Sequence, residues 1–102
     1  MSQVDLAVIR ELAEIFDRNG YVRRQNPDRV ARDGWACYKK GDEVRLSARS
    51  EVELERLRSL LLSAGFKPGA PYVQGSVYRQ PLYGRKQVAA FLELIGRLSA
   101  GV

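Results

Sequence analysis

Between Ser50 and Gly65 the chain spells out one helix almost completely, and that helix limits what can lie on either side of it. Ser50 and Glu53 have the spacing of a capping box, in which the serine oxygen accepts from the amide three residues on. Leu54, Leu57, Leu60 and Leu61 recur at three- and four-residue steps, which places them on one stripe, and Gly65 supplies a stop. A helix over 51–64 is predicted. The preceding segment has a different period. In "WACYKKGDEVRLSA" apolar residues alternate on each side of a Lys40-Gly41-Asp42 turn, so residues 34–49 are expected to form a hairpin. Val44, Leu46 and Ala48 share one face of its second strand; Arg45, Ser47 and Arg49 share the other.

Residues 2–19 carry a second helical pattern, with Ser2 as the expected N-cap, Asp5 three residues on and Gly20 as the stop. Tyr21 to Arg24 begins the first strand, Asn26-Pro27-Asp28 makes a turn, and the strand resumes near Gly34. After Gly65, "FKPGAPYVQGSVYRQPLY" predicts two short strands around Gly75, with Pro68, Pro71 and Pro81 at strand ends or sheet edges. A third helix over 85–98 places Val88, Phe91, Leu92, Ile95 and Leu98 on one side. The expected fold is α+β: a single αββαββα domain over 1–102, its four-stranded mixed or antiparallel sheet covered by helices on one face.

The residue types narrow the chemistry. There is no histidine and one cysteine, Cys37, so a zinc site, an internal disulfide and histidine acid–base catalysis are excluded. Trp35 and Cys37 alternate on one strand face and are expected in the core. No apolar run approaches the ~18–20 residues of a membrane span. No charged-then-apolar leader opens the chain, and with the lone cysteine this gives the expectation of a reducing cytoplasm.

The net charge is +5, and its distribution says more than its size. Residues 1–19 hold two cations and four acids, 20–49 eight and four, 50–65 two and three, 66–86 four and none, and 87–102 one of each. All the excess positive charge therefore lies in the two hairpin regions. If helices cover one side of the sheet, the other is left open and basic, with Tyr72 or Tyr78 interleaved, and can track a phosphate backbone. The expected contact residues are Arg23, Arg24, Arg45, Arg49 and Arg79 on the sheet, with Lys39, Lys40 and Lys67 on rims and turns. Gly84-Arg85-Lys86 adds a helix start that could hold a phosphate, although such triplets are more often solvated helix entries.

One short stretch suggests a family. "LAEIFDRNG", Leu12 to Gly20, resembles the nine-residue signature of the LAGLIDADG homing endonucleases, maturases and related DNA-binding proteins, with matching types at Leu12, Ala13, Ile15, Asp17 and Gly20. "VRLSARSEVELERLRSLLLSAGF" at 44–66 and "VYRQPLYGRKQVAAFLELI" at 77–95 resemble that family's second strand with its middle helix, and its last strand with its third helix. The resemblance implies the αββαββα half-domain, DNA binding, and a signature helix that pairs two halves and binds a divalent metal.

The signature departs from the family where its chemistry resides. Asn19 occupies the position of the metal-binding acid, so the resemblance supplies no catalytic residue and no metal site. Glu14 and Arg18 stand where small residues let two helices approach, which opposes a homodimer built on this helix; four residues apart, they are expected to pair with each other. The leading expectation is a non-catalytic nucleic-acid-binding protein without a cofactor, DNA being favoured over RNA as partner and no membrane involved. The alternatives are a homodimeric Mg-dependent endonuclease, active or in an inactivated form, and a protein–protein interaction module on the same fold.

Overall fold

The computed structural model describes residues 4–24 and 41–100. Helix α1 (Leu6–Asn19) leads into strand β1 (Tyr21–Arg23). Strand β2 (Glu43–Ala48) precedes helix α2 (Glu51–Ser63), strands β3 (Tyr72–Gln74) and β4 (Val77–Tyr83), and helix α3 (Arg85–Ala100). The αββαββα order is the expected one, and the sheet is antiparallel throughout in the order β1-β2-β4-β3. Residues 25–40, which include Trp35, Cys37, Lys39, Lys40 and the first half of the expected 34–49 hairpin, lie outside the described residues. Among the described residues no helix is long and apolar enough to cross a membrane.

Local chemistry sets the element ends. Ser50 caps α2 by accepting from the Glu53 amide at 3.1 Å. At the other end Phe66 N–H donates to the Leu61 carbonyl and Gly65 N–H to that of Leu62, with Gly65 at φ +90°. That is a Schellman stop, and it turns Phe66 into the core beside Leu61. Helix α1 starts later than expected: its cap is Asp5, whose carboxylate accepts from the Ala7 amide at 2.9 Å. Gly20 ends α1 in an extended conformation, at φ −71°. It is needed for space, not for a left-handed backbone, because a Cβ there would collide with the Phe16 carbonyl and ring. Between β3 and β4, Gly75 at φ +63° is the first residue of a two-residue loop, the pattern of a type II′ turn.

The three described helices lie on one side of the sheet. Val44 and Leu46 of β2 and Leu82 of β4 meet Ile9, Leu12 and Ile15 of α1, Leu57, Leu60 and Leu61 of α2, and Val88, Phe91 and Leu94 of α3. Phe91 holds the centre, making edge-to-face contacts with Phe16 and Phe66 at 5.8 Å each. Such pairs contribute about 0.5–1.5 kcal/mol beyond their buried area.

Pro81 corrects the expectation that it marks a strand end. It lies inside β4, an inner strand, and is fully buried. Its carbonyl accepts from the Gly69 amide at 2.9 Å, so its nitrogen faces the Gly69 side as well. The Gly69 carbonyl, deprived of a proline N–H, accepts instead from Gln80 Nε2 at 2.7 Å and Arg58 Nη1 at 3.0 Å. Arg58 also donates to Gln80 Oε1, which completes the hydrogen bonding of this core glutamine. The side chains thus replace the bond that proline cannot make.

Ion pairs tie α1 to α2 on the surface. Arg56 donates both bonds of a fork to Glu11, at 2.9 and 2.8 Å. Arg18 reaches Glu53 at 2.9 Å, so the expected Glu14–Arg18 pair is replaced by one between helices. The bond from Arg56 holds the Glu11 carboxyl below its ordinary range. Partial burial opposes ionisation of Glu53, but the Arg18 bond, the Arg49 amide and the charges of both arginines outweigh it, and its carboxyl is lowered too.

Three outcomes follow for stability. Gly20→Ala should lower the unfolding free energy by about 1–3 kcal/mol in urea titrations. Gly96→Ala, in the interior of α3 with open space around it, should raise it by about 0.5–1 kcal/mol. Because Glu11 and Glu53 are lowered in the folded state, their contribution is complete above the ordinary carboxyl value of 4.5 and is lost as pH falls through their folded values. Glu53→Gln should therefore flatten the acid limb of a stability–pH curve; an unchanged limb would contradict the pairing.

Candidate functional site

The alternation that sends Val44, Leu46 and Ala48 to the helices sends their neighbours to the opposite face. Cross-strand partners share a face, so the β2–β4 register sets Glu43 beside Tyr83, Arg45 beside Pro81 and Ser47 beside Arg79 there. Pairing with β1 adds Tyr21 opposite Arg45 and Arg23 opposite Glu43. Pairing with β3 adds Tyr72 opposite Arg79, and Gln74 opposite Val77. None of the described helices packs on this side, and among the described strand residues it collects three arginines and three tyrosines.

Glu43 organises the arginines. Only 3% of its side chain is exposed, and it accepts from Arg23 at 2.9 Å and from Arg45 through a fork of 3.0 and 3.2 Å. Arg23 also donates to the Gly41 carbonyl at 3.2 Å. The hydrogen bonds to Glu43 raise the Arg45 guanidinium still further above its ordinary value, although partial burial opposes its charge. That guanidinium also lies over two rings, 5.1 Å from the centre of Tyr21 and 5.9 Å from that of Tyr72. Both distances fall within cation–π range. Arg79 is held differently, by Gln74 Oε1 at 2.9 Å and by the Ser47 hydroxyl. Both partners are neutral, so Arg79 keeps its full charge on the face. A recess of about 590 Å³ opens alongside, lined by Arg23, Arg45, Tyr72, Tyr83 and Glu43 and rimmed by Gly41, Asp42 and Gly84.

Of the residues expected to form the contact surface, Arg23, Arg45 and Arg79 come together here. Arg24 follows directly after β1, exposed and without an ion pair among the described residues. Arg49 turns toward α2, where its side chain meets Glu53 at 3.4 Å. Lys67 is drawn to the start of α3: its amide donates to Gln87 and its carbonyl accepts from Gln87. Lys86 lines a groove with Ala64, Phe66, Leu94 and Arg97 on the helical side, and Arg85 is exposed in the first turn of α3. Lys39 and Lys40 lie outside the described residues. Tyr72 is on the open face as expected, but Tyr78 is on the helical side, with its hydroxyl 3.4 Å from Glu51.

Comparison with protein-family models, with curated proteins and with solved structures gives no match. The site therefore has to be read from its own geometry. Sequence reasoning missed Tyr21 and Tyr83, which complete the aromatic set, and missed Glu43 as the group that fixes two arginines. The signal was available in the two-residue steps from Tyr21 to Arg23 and from Arg79 through Pro81 to Tyr83.

The surroundings of Asn19 bear on a divalent metal. Its carbonyl accepts from the Ser47 hydroxyl at 3.5 Å, and that hydroxyl in turn accepts from the Arg79 guanidinium. A fixed cation one hydroxyl away, beside an uncharged Asn19 side chain, does not fit a Mg²⁺ site. Among the described residues no group of three or more carboxylate or thiol side chains is gathered to hold a metal ion.

Glu43→Ala would leave two partly buried guanidinium groups without their acceptor. It should cost about 1–3 kcal/mol in urea unfolding. A loss under about 0.5 kcal/mol would show that the cluster is not structural.

Proposed function

We propose that this chain is a non-catalytic nucleic-acid-binding protein that meets its partner with the sheet face opposite its described helices. The observation that carries the reading is the grouping of Arg23, Arg45 and Arg79 with Tyr21, Tyr72 and Tyr83 on that face, three cations with one acid, Glu43, among its described strand residues. Arg79, held by neutral partners, would meet phosphates, and arginine's planar fork suits that role. The tyrosines add stacking surface. Buried and shared between two arginines, Glu43 lowers the charge of the face without repelling a phosphate at its surface.

The LAGLIDADG resemblance supports the same reading. Its αββαββα order is the one observed, and that family includes DNA-binding proteins, which makes DNA the first partner to test and RNA the second. The reading stops at binding because Asn19 brings no carboxylate and Arg79 lies near it. Glu14 and Arg18 remain obstacles to helix-paired dimers, since Arg18 is engaged with Glu53 and Glu14 is exposed.

The test is fluorescence anisotropy with labelled duplex DNA, single-stranded DNA and structured RNA across a salt series. Affinity should fall steeply with salt, and Arg79→Gln should weaken binding and reduce the slope of log K against log salt by about 0.7–0.9. Absence of binding to every probe at low salt would refute the reading.

A further inference from the structure

We infer that the open face takes an unpaired strand, with bases laid on Tyr21, Tyr72 and Tyr83, in preference to a closed duplex; this rests on the nucleic-acid reading above. The three residues are 45%, 37% and 51% exposed on the side of the sheet away from the described helices. Exposed rings offer a stacking surface, and a base has an apolar face on each side to meet it. A duplex hides those faces by stacking and presents only base edges and backbone.

Reading edges would require free donors and acceptors projecting from the face, and most are already engaged. Glu43 is enclosed by Arg23 and Arg45, Gln74 Oε1 accepts from Arg79, and Ser47 bonds both Arg79 and the Asn19 carbonyl. Arg45 is drawn over the tyrosine rings instead of reaching outward. What the face offers freely is ring surface with cations beside it, the combination that holds unpaired strands through stacking and phosphate contact. The recess between Tyr72 and Tyr83 gives one base a place to enter. Because the neighbouring acceptors are engaged, the face has little with which to read a 2′-hydroxyl, so deoxyribose and ribose strands should bind alike.

The experiment compares labelled oligothymidylate and oligouridylate of about twelve nucleotides with a duplex of equal length, at one low salt concentration. Both single strands should bind at least about tenfold tighter than the duplex. Tyr21→Ala and Tyr72→Ala should each weaken single-strand binding about fivefold or more and leave duplex binding within about twofold. The phenylalanine variants at both positions should retain binding. Tyr72→Leu, which keeps bulk without a ring face, decides the case if circular dichroism shows an alanine variant unfolded. A duplex bound as tightly as the single strands, or aromatic variants without effect, would overturn the inference while leaving nucleic-acid binding standing. A ribose strand bound more than about tenfold tighter than its deoxy counterpart would overturn the claim that the sugar is not read. Failure of all probes to bind would refute both this inference and the proposed function.

Discussion

The register between β2 and β4 governs both faces of this protein. Val44 opposite Leu82 and Leu46 opposite Gln80 point to the helices, and the residues between them point away. A slip of β4 by one residue would turn Arg79 beneath the helices and expose Leu82. The chain guards against that with more than apolar matching. Gln80 fits its place in the core only where Arg58 and the Gly69 carbonyl meet it, and the Gly69 carbonyl needs those donors only because Pro81 lacks an N–H. This polar set has one satisfying alignment, so it fixes which face of β4 meets α2 in a way that interchangeable leucines could not.

Much of the scaffold was legible because its signals are local. The Ser50 cap, the Gly65 stop and the leucine spacing of α2 lie within a few residues of one another, and the helix forms as they predict. Signals that depend on distant partners were read less well. Pro81 reads as an edge residue until Gly69 is seen to replace its missing bond. Arg18 reads as a partner for Glu14 until α2 brings Glu53 closer. The site was half legible for the same reason. Alternation identified Arg45 and Arg79 on the open side, but only strand pairing sets Tyr21 over Arg45 and turns Tyr78 away. Charge counting along the chain could not show that one glutamate is spent on two arginines, or that Lys67 and Lys86 belong with α3.

Arg45 shows how a charged side chain can be made rigid. A free arginine samples many rotamers, and ordering it on contact is one reason that exposed charges contribute little. Here the fork to Glu43 fixes the plane of the guanidinium, and the two tyrosines lie against it. The arrangement exists before any partner arrives. Its rings and cation present a fixed outline, so shape complementarity carries more weight on this face than net charge.

The lengths of the strands have a further consequence. Among the described residues the two outer strands, β1 and β3, have three residues each, while the longer β2 and β4 lie inside and satisfy one another. A sheet with a face its described helices leave bare risks recruiting a neighbour's strand along its margin and growing into aggregates. Margins of three residues offer very little ladder for such growth. Brevity at the edges is therefore what allows the broad surface to stay uncovered in a crowded solution.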